Sequence, residues 1–136
     1  MSQKVIIVPC SGIGKTYGTV SREAAYEVVE DMCPATAQLV ALSKLVLGDD
    51  DARAAIADNP AITIDGCKLA CATKMVQESG GEVAQDFAVL DVFRRNRKLK
   101  PQGIAELNEG GLQLAHALAK EVSAVIDDLQ GGEEDA

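Results

Sequence analysis

The sequence predicts an α/β protein: a three-layer sandwich in which a mostly parallel sheet is flanked by helices. Three observations predict it. Two short aliphatic runs, VIIV at 5–8 and AITI at 61–64, have the continuous apolar character of strands buried on both faces of a sheet. Each run is followed by a turn and a helical pattern, and a further strand candidate repeats the alternation. The 136 residues hold enough apolar material, 47%, for one core, and with aromatics at only 3% that core must be aliphatic. One domain over residues 1–130 is expected, with GGEEDA at 131–136 as a disordered acidic tail.

Val5 to Val8 is the first strand, since all four residues are β-branched. From Thr19 to Glu30, Val20, Ala24 and Val28 recur every fourth residue with charges between them, which predicts an amphipathic helix. Pro34 stops it near Met32 and Cys33. Ala35 to Leu47 also carries helical spacing in Leu39, Leu42 and Val46, although the signal there is ambiguous. Gly48 closes this segment, Asp49 to Asp51 cap a helix through Ala57, and Asn59 and Pro60 end it. Ala61 to Ile64 is the second strand, and a helix is expected from about Lys68 to Glu78. Phe87 to Phe93 is the third strand candidate. Pro101 to Asn108 reads as a short helix, with Gly110 and Gly111 as the joint to a last helix, Leu112 to Leu129. Its stripe is Leu114, Leu118, Val122, Val125 and Leu129.

Composition excludes several functions. The net charge of −8 opposes nucleic-acid binding, and the basic run RRNRKLK at 94–100 reads as a solvated loop. No apolar run is long enough for a membrane span or a secretory leader. The expectation is a cytoplasmic protein with reduced thiols.

VIIVPC and AITIDGC each run from a strand into a cysteine. Ligands of open parallel sheets bind beyond the carboxyl ends of the strands, so Cys10 and Cys67 are predicted to share one sheet edge. The turn after Cys10 contains Gly14, Lys15 and Thr16, the second half of a phosphate-binding loop. Pro9 stands where the first glycine is required, and proline has no amide proton to give to a phosphate. A nucleotide site is not expected, and Thr16 or Thr19 serves as a helix cap. A thiol-phosphatase loop is not expected either, because Thr16 occupies the place of its arginine.

The four cysteines then carry the chemistry, spaced C-x22-C-x33-C-x3-C. Cys67 and Cys71 lie four apart at a helix start, where the helix dipole favours a thiolate's negative charge. Four thiolates can close a tetrahedral zinc site. Thiol or persulfide chemistry, or an iron–sulfur cluster, uses the same residues. Catalysis has little support. His116 reads as a partly exposed surface residue, and Asp65 as a helix cap or an acceptor beside the site. Lys15 and Lys68 are the nearest candidate cations.

PCSG, the cysteine after the first helix, and IDGCKLACA resemble the DGC-domain family, named for the triplet found here as Asp65, Gly66 and Cys67. The resemblance runs from about residue 4 to 95. It implies a zinc-binding protein whose ligands are Cys10, Cys33, Cys67 and Cys71. It implies no reaction. The partner expected is a metal ion, with room for an unidentified protein.

Overall fold

The computed structural model describes residues 4–10, 16–66, 70–103 and 107–134, with side chains up to residue 130. Four strands form one all-parallel sheet in the order β2-β1-β3-β4. They are β1 (Val5–Pro9), β2 (Ala37–Leu39), β3 (Ala61–Asp65) and β4 (Val83–Ala88). β1 and β3 are central and buried at every residue, as their aliphatic sequences require.

Side chains alternate across the pleat, so β1 feeds two cores. Val5 and Ile7 point into a layer made by α1 (Thr16–Glu27), α5 (Val89–Arg95) and α6 (Glu109–Glu134). Ile6 and Val8 point into the opposite layer, made by α2 (Leu42–Leu47), α3 (Asp50–Asp58) and α4 (Cys71–Glu78). The three-layer α/β sandwich is therefore present. Among the described residues, no helix is long and apolar enough to cross a membrane.

Several boundaries differ from expectation, each for a physical reason. α1 begins at Thr16, three residues early, which places Thr19 inside the helix rather than at its cap. Its last turn, Val28–Met32, widens into a π-turn that Cys33 closes by donating its amide to the Val28 carbonyl at 2.7 Å. The ambiguous segment at 35–47 divides into β2 and α2. Pairing with the free edge of β1, Val5 opposite Ala37, overrides the helical spacing and leaves Val46 64% exposed.

The last strand is β4, Val83–Ala88, and the strand expected at Phe87–Phe93 is mostly α5. β4 is an edge strand, so it tolerates Gln85 and Asp86, whereas the apolar run that looked strand-like buries Val89 and Val92 on one helix face. Asp91 on that helix is exposed and pairs with Arg94.

Residues 104–106 of the expected helix at 101–108 lie outside the described residues, and those on either side are not helical. Gly110 and Gly111 are not a joint: they sit in the first turn of α6. A Cβ on Gly110 would come within 2.5 Å of the Lys100 carbonyl oxygen. Asn108 caps that turn, its Oδ1 accepting from Gly111 and Gln102. The buried stripe of α6 is Leu114, Leu118, Val122 and Ile126, with Val125 and Leu129 at its margin. α6 runs to Glu134, through the first residues of the segment read as a tail.

Other readings hold. Gly48 ends α2 in the left-handed conformation at φ +76°, and the Asp49 carboxylate accepts from the Ala52 amide at 2.9 Å to start α3.

Candidate metal centre

β1 and β3 are neighbours, but the helices that follow them leave toward opposite faces, α1 to one and α4 to the other. Such a divergence marks the carboxyl edge as the place where open parallel sheets bind ligands.

Cys10 sits there, directly after β1 and only 6% exposed. Its amide extends the ladder by donating to the Ile64 carbonyl at 2.8 Å. Its Sγ accepts the Gly66 amide proton at 3.1 Å and lies 3.4 Å from Ser21 Oγ. Ser21 has one hydroxyl proton, and the Gly18 carbonyl takes it at 2.7 Å. The Cys10 thiol proton therefore points at Ser21, and a thiolate there would draw the serine proton toward sulfur instead.

Asp65 ends β3 and is 4% exposed. Its Oδ1 accepts from the Ala72 amide at 2.8 Å, and its Oδ2 accepts from the Thr73 hydroxyl at 2.7 Å. Since Thr73 spends its only proton there, Thr63 must donate in the 2.7 Å contact between the two threonines. This chain ties the first turn of α4 to the end of β3. Asp65 thus satisfies a helix N-terminal amide, as expected, although from five residues before the N-cap Ala70.

Gly66 is a packing requirement. A Cβ there would lie 2.9 Å from both the Gly18 nitrogen and the Tyr17 carbonyl carbon. Only glycine lets the end of β3 approach the backbone of α1 this closely.

α4 opens at Cys71, which is exposed. The residue before it, Ala70, has φ +51°, a left-handed conformation that alanine rarely adopts. Backbone strain of this kind collects at functional sites.

The predicted ligands separate. Cys10 and Cys71 lie at the carboxyl edge. Cys67 lies outside the described residues, immediately after the Gly66 that touches Cys10. The Gly12–Gly14 turn, Lys15 and Lys68 are outside them as well.

Cys33 does not join Cys10. It precedes β2 at the amino edge, packs in the α1–α6 layer, and has its Sγ 3.5 Å from Ser123 Oγ. Val5 pairs with Ala37 at that edge, and from Val5 to Cys10 the strand advances about 16 Å at ~3.3 Å per residue. Two thiolates on one zinc stand only about 4 Å apart. Among the described residues, no group of three or more His, Cys, Asp or Glu gathers closely enough to hold a metal ion.

His116 is a surface residue, its side chain 52% exposed and its Nδ1 2.7 Å from Glu27 Oε1. Ser21, Thr63 and Thr73 were not singled out from sequence. Thr63 carried a signal, a hydroxyl within a buried aliphatic strand, which must find a partner.

No curated protein and no solved structure matches the chain. A sequence model of the DGC domain matches residues 6–110, well over half of the chain. That span runs from the second residue of β1 past the end of α5 and holds the Asp65–Gly66–Cys67 triplet and both edge cysteines, and by this match the chain belongs to the DGC-domain family.

Proposed function

We propose that this chain is a zinc-binding protein whose metal sits at the carboxyl edge of the sheet, held by the thiolates of Cys10, Cys67 and Cys71. The observation that carries the reading is the hydrogen bond from the Gly66 amide to the Cys10 sulfur, which brings the residue before Cys67 against Cys10. Asp65 fastens the start of α4, and with it Cys71, to the same strand end. Soft thiolates suit zinc, and the Gly66 amide and the α4 N-terminus offset their negative charge.

Cys33 is assigned to the core, not to the metal. Three protein ligands leave a fourth position for water or a small ligand, the pattern of sites that do chemistry rather than of closed structural sites. Metal competes with protons for thiolates, so zinc affinity falls as pH drops.

Elemental analysis of anaerobically purified cysteine variants tests this. One zinc per chain is expected in the parent and in Cys33→Ala, with loss in Cys10→Ser, Cys67→Ser and Cys71→Ser. A folded Cys33→Ala that loses zinc as fully as Cys67→Ser would restore the four-cysteine site. A second reading, thiol or persulfide chemistry, is favoured by the exposure of Cys71. It is the outcome if the protein arrives metal-free with Cys71 reactive toward disulfides. A broad visible absorbance band would point to an iron–sulfur cluster instead.

A further inference from the structure

The basic run at 94–100 takes no part in the carboxyl-edge site. It holds five of the chain's 13 basic residues, Arg94, Arg95, Arg97, Lys98 and Lys100, and no acidic one. Cations crowded in this way repel one another. Two of them are offset within the fold, Arg94 by Asp91 at 3.7 Å and Arg95 by Glu121 at 2.6 Å. Arg97, Lys98 and Lys100 are exposed and form no ion pair among the described residues. On a chain of net charge −8, carboxylates are plentiful, yet these neighbouring cations are left without one.

The turn that displays them is held in place. Asn96 ends α5, its amide donating to the Phe93 carbonyl and its Nδ2 to the Val92 carbonyl, each at 2.9 Å. The Leu99 amide donates back to the Asn96 carbonyl at 2.9 Å, and the Leu99 side chain packs against the core layer of α1, α5 and α6. Lys98 and Lys100, on either side of it, are exposed. Asn108 secures the exit, its Nδ2 donating to the Lys100 carbonyl at 3.1 Å. Cations carried on a fixed backbone lose less freedom when a partner binds.

The surroundings set the partner's size. Asp91 and Glu121 border the run through their pairs with Arg94 and Arg95, and Glu109 lies between Asn108 and Gly110, which both touch Lys100. A nucleic-acid strand carries charge along its whole length and would meet these carboxylates as well as the cations. It would also find no stacking platform in this stretch, because Phe93 packs in the core with its ring centroid 6.2 Å from that of Tyr17. A few adjacent carboxylates on a peptide match the patch without overrunning it, and the Arg97 guanidinium can hold one of them bidentately.

We propose that the turn at 96–100 docks a short acidic segment of a partner protein, its carboxylates on Arg97, Lys98 and Lys100. The surface needs no metal, so it stands or falls separately from the zinc reading.

The test is a titration of the full-length protein, followed by amide chemical shifts, with a peptide of three glutamates between glycine–serine flanks. The same peptide with three glutamines, and octathymidylate, serve as comparison probes. At about 0.15 M salt, where distant charges are screened, the glutamate peptide should bind at least tenfold more tightly than either, with its largest shifts at 94–100. Arg97→Glu combined with Lys98→Glu should weaken it at least tenfold. Lys74→Glu also makes the chain more negative, but it lies exposed on α4 in the opposite layer and should change the affinity less than twofold. Octathymidylate binding as tightly as the glutamate peptide would assign the surface to nucleic acid and overturn the proposal. A Lys74→Glu protein weakened as much as the double variant would overturn it too, since overall charge would then explain the binding. If the double variant fails to fold, the parent protein decides: glutamate and glutamine peptides of equal affinity, or largest shifts outside 94–100, refute it.

Discussion

Replacing Gly66 by alanine tests whether the close approach of β3 to α1 builds the carboxyl-edge site. The added methyl would sit 2.9 Å from two backbone atoms of α1 and 3.0 Å from the Tyr17 carbonyl oxygen, where ordinary contact begins near 3.4 Å. Neither partner is a flexible side chain, so the strand end must retreat by about half an ångström. Overpacking of this kind costs about 1–3 kcal/mol. For a chain of this length each kcal/mol lowers Tm by roughly 3–5 °C, so the variant should melt about 3–15 °C below the parent. The same retreat lengthens the bond from the Gly66 amide to the Cys10 sulfur. Cys10 in the zinc-free variant should therefore alkylate faster. Gly80→Ala is the control, since its φ of +86° carries conformational strain while nothing lies within 4 Å of its Cβ position. It should cost about 1 kcal/mol and leave Cys10 alone. A Gly66→Ala protein that melts within about 1 °C of the parent, with unchanged Cys10 reactivity, would refute the packing argument.

Asp65→Ala strands the buried Ala72 amide and the Thr73 hydroxyl; urea unfolding should show a loss of about 2–4 kcal/mol, and Asp65→Asn a smaller one, because the amide can still serve both groups. Ala70→Gly should raise stability by about 0.5–1 kcal/mol by relieving the left-handed strain before Cys71, read as a higher urea midpoint with an unchanged slope. Asp49→Ala removes the α3 cap and should cost about 1 kcal/mol with zinc content unaltered. Leu118→Ala in the fully buried stripe of α6 should cost about 2–5 kcal/mol, the largest loss of the set.

Fold class and site were legible in the sequence to different depths. The buried strands announce themselves because parallel strands covered on both faces have no polar face to show: VIIV and AITI are such runs. The edge strands do not. β2 has three residues and β4 carries Gln85 and Asp86, so neither shows the buried-strand pattern, and only pairing with β1 and β3 makes them strands. α5 was hidden by its own burial, since a seven-residue amphipathic helix and a buried strand have similar apolar density. At the site, Cys10 and Asp65 were readable because each ends an aliphatic run, and chain order alone puts such ends on one edge of a parallel sheet. Cys33 was misleading for the same reason in reverse. It follows a helix rather than a strand, and a helix that returns antiparallel to β1 delivers its last residue to the opposite edge.

That topology also explains why glycine and aspartate stand together before Cys67. β1 and β3 are adjacent, which brings Gly66 against Cys10, yet α1 and α4 must leave toward opposite faces for both sides of the sheet to be covered. At the parting point the end of β3 runs against the α1 backbone, which admits no side chain, hence Gly66. One residue earlier the pleat points to the other face, toward α4, whose first-turn amides lack helical partners, hence the Asp65 carboxylate. The two residues answer two opposite-facing demands of the same crossing. Neither demand involves a metal, and both central strands are buried throughout. The aliphatic core should therefore persist when zinc is stripped, while the geometry around Cys10 and Cys71 depends on Asp65 and Gly66 whether or not a metal is bound.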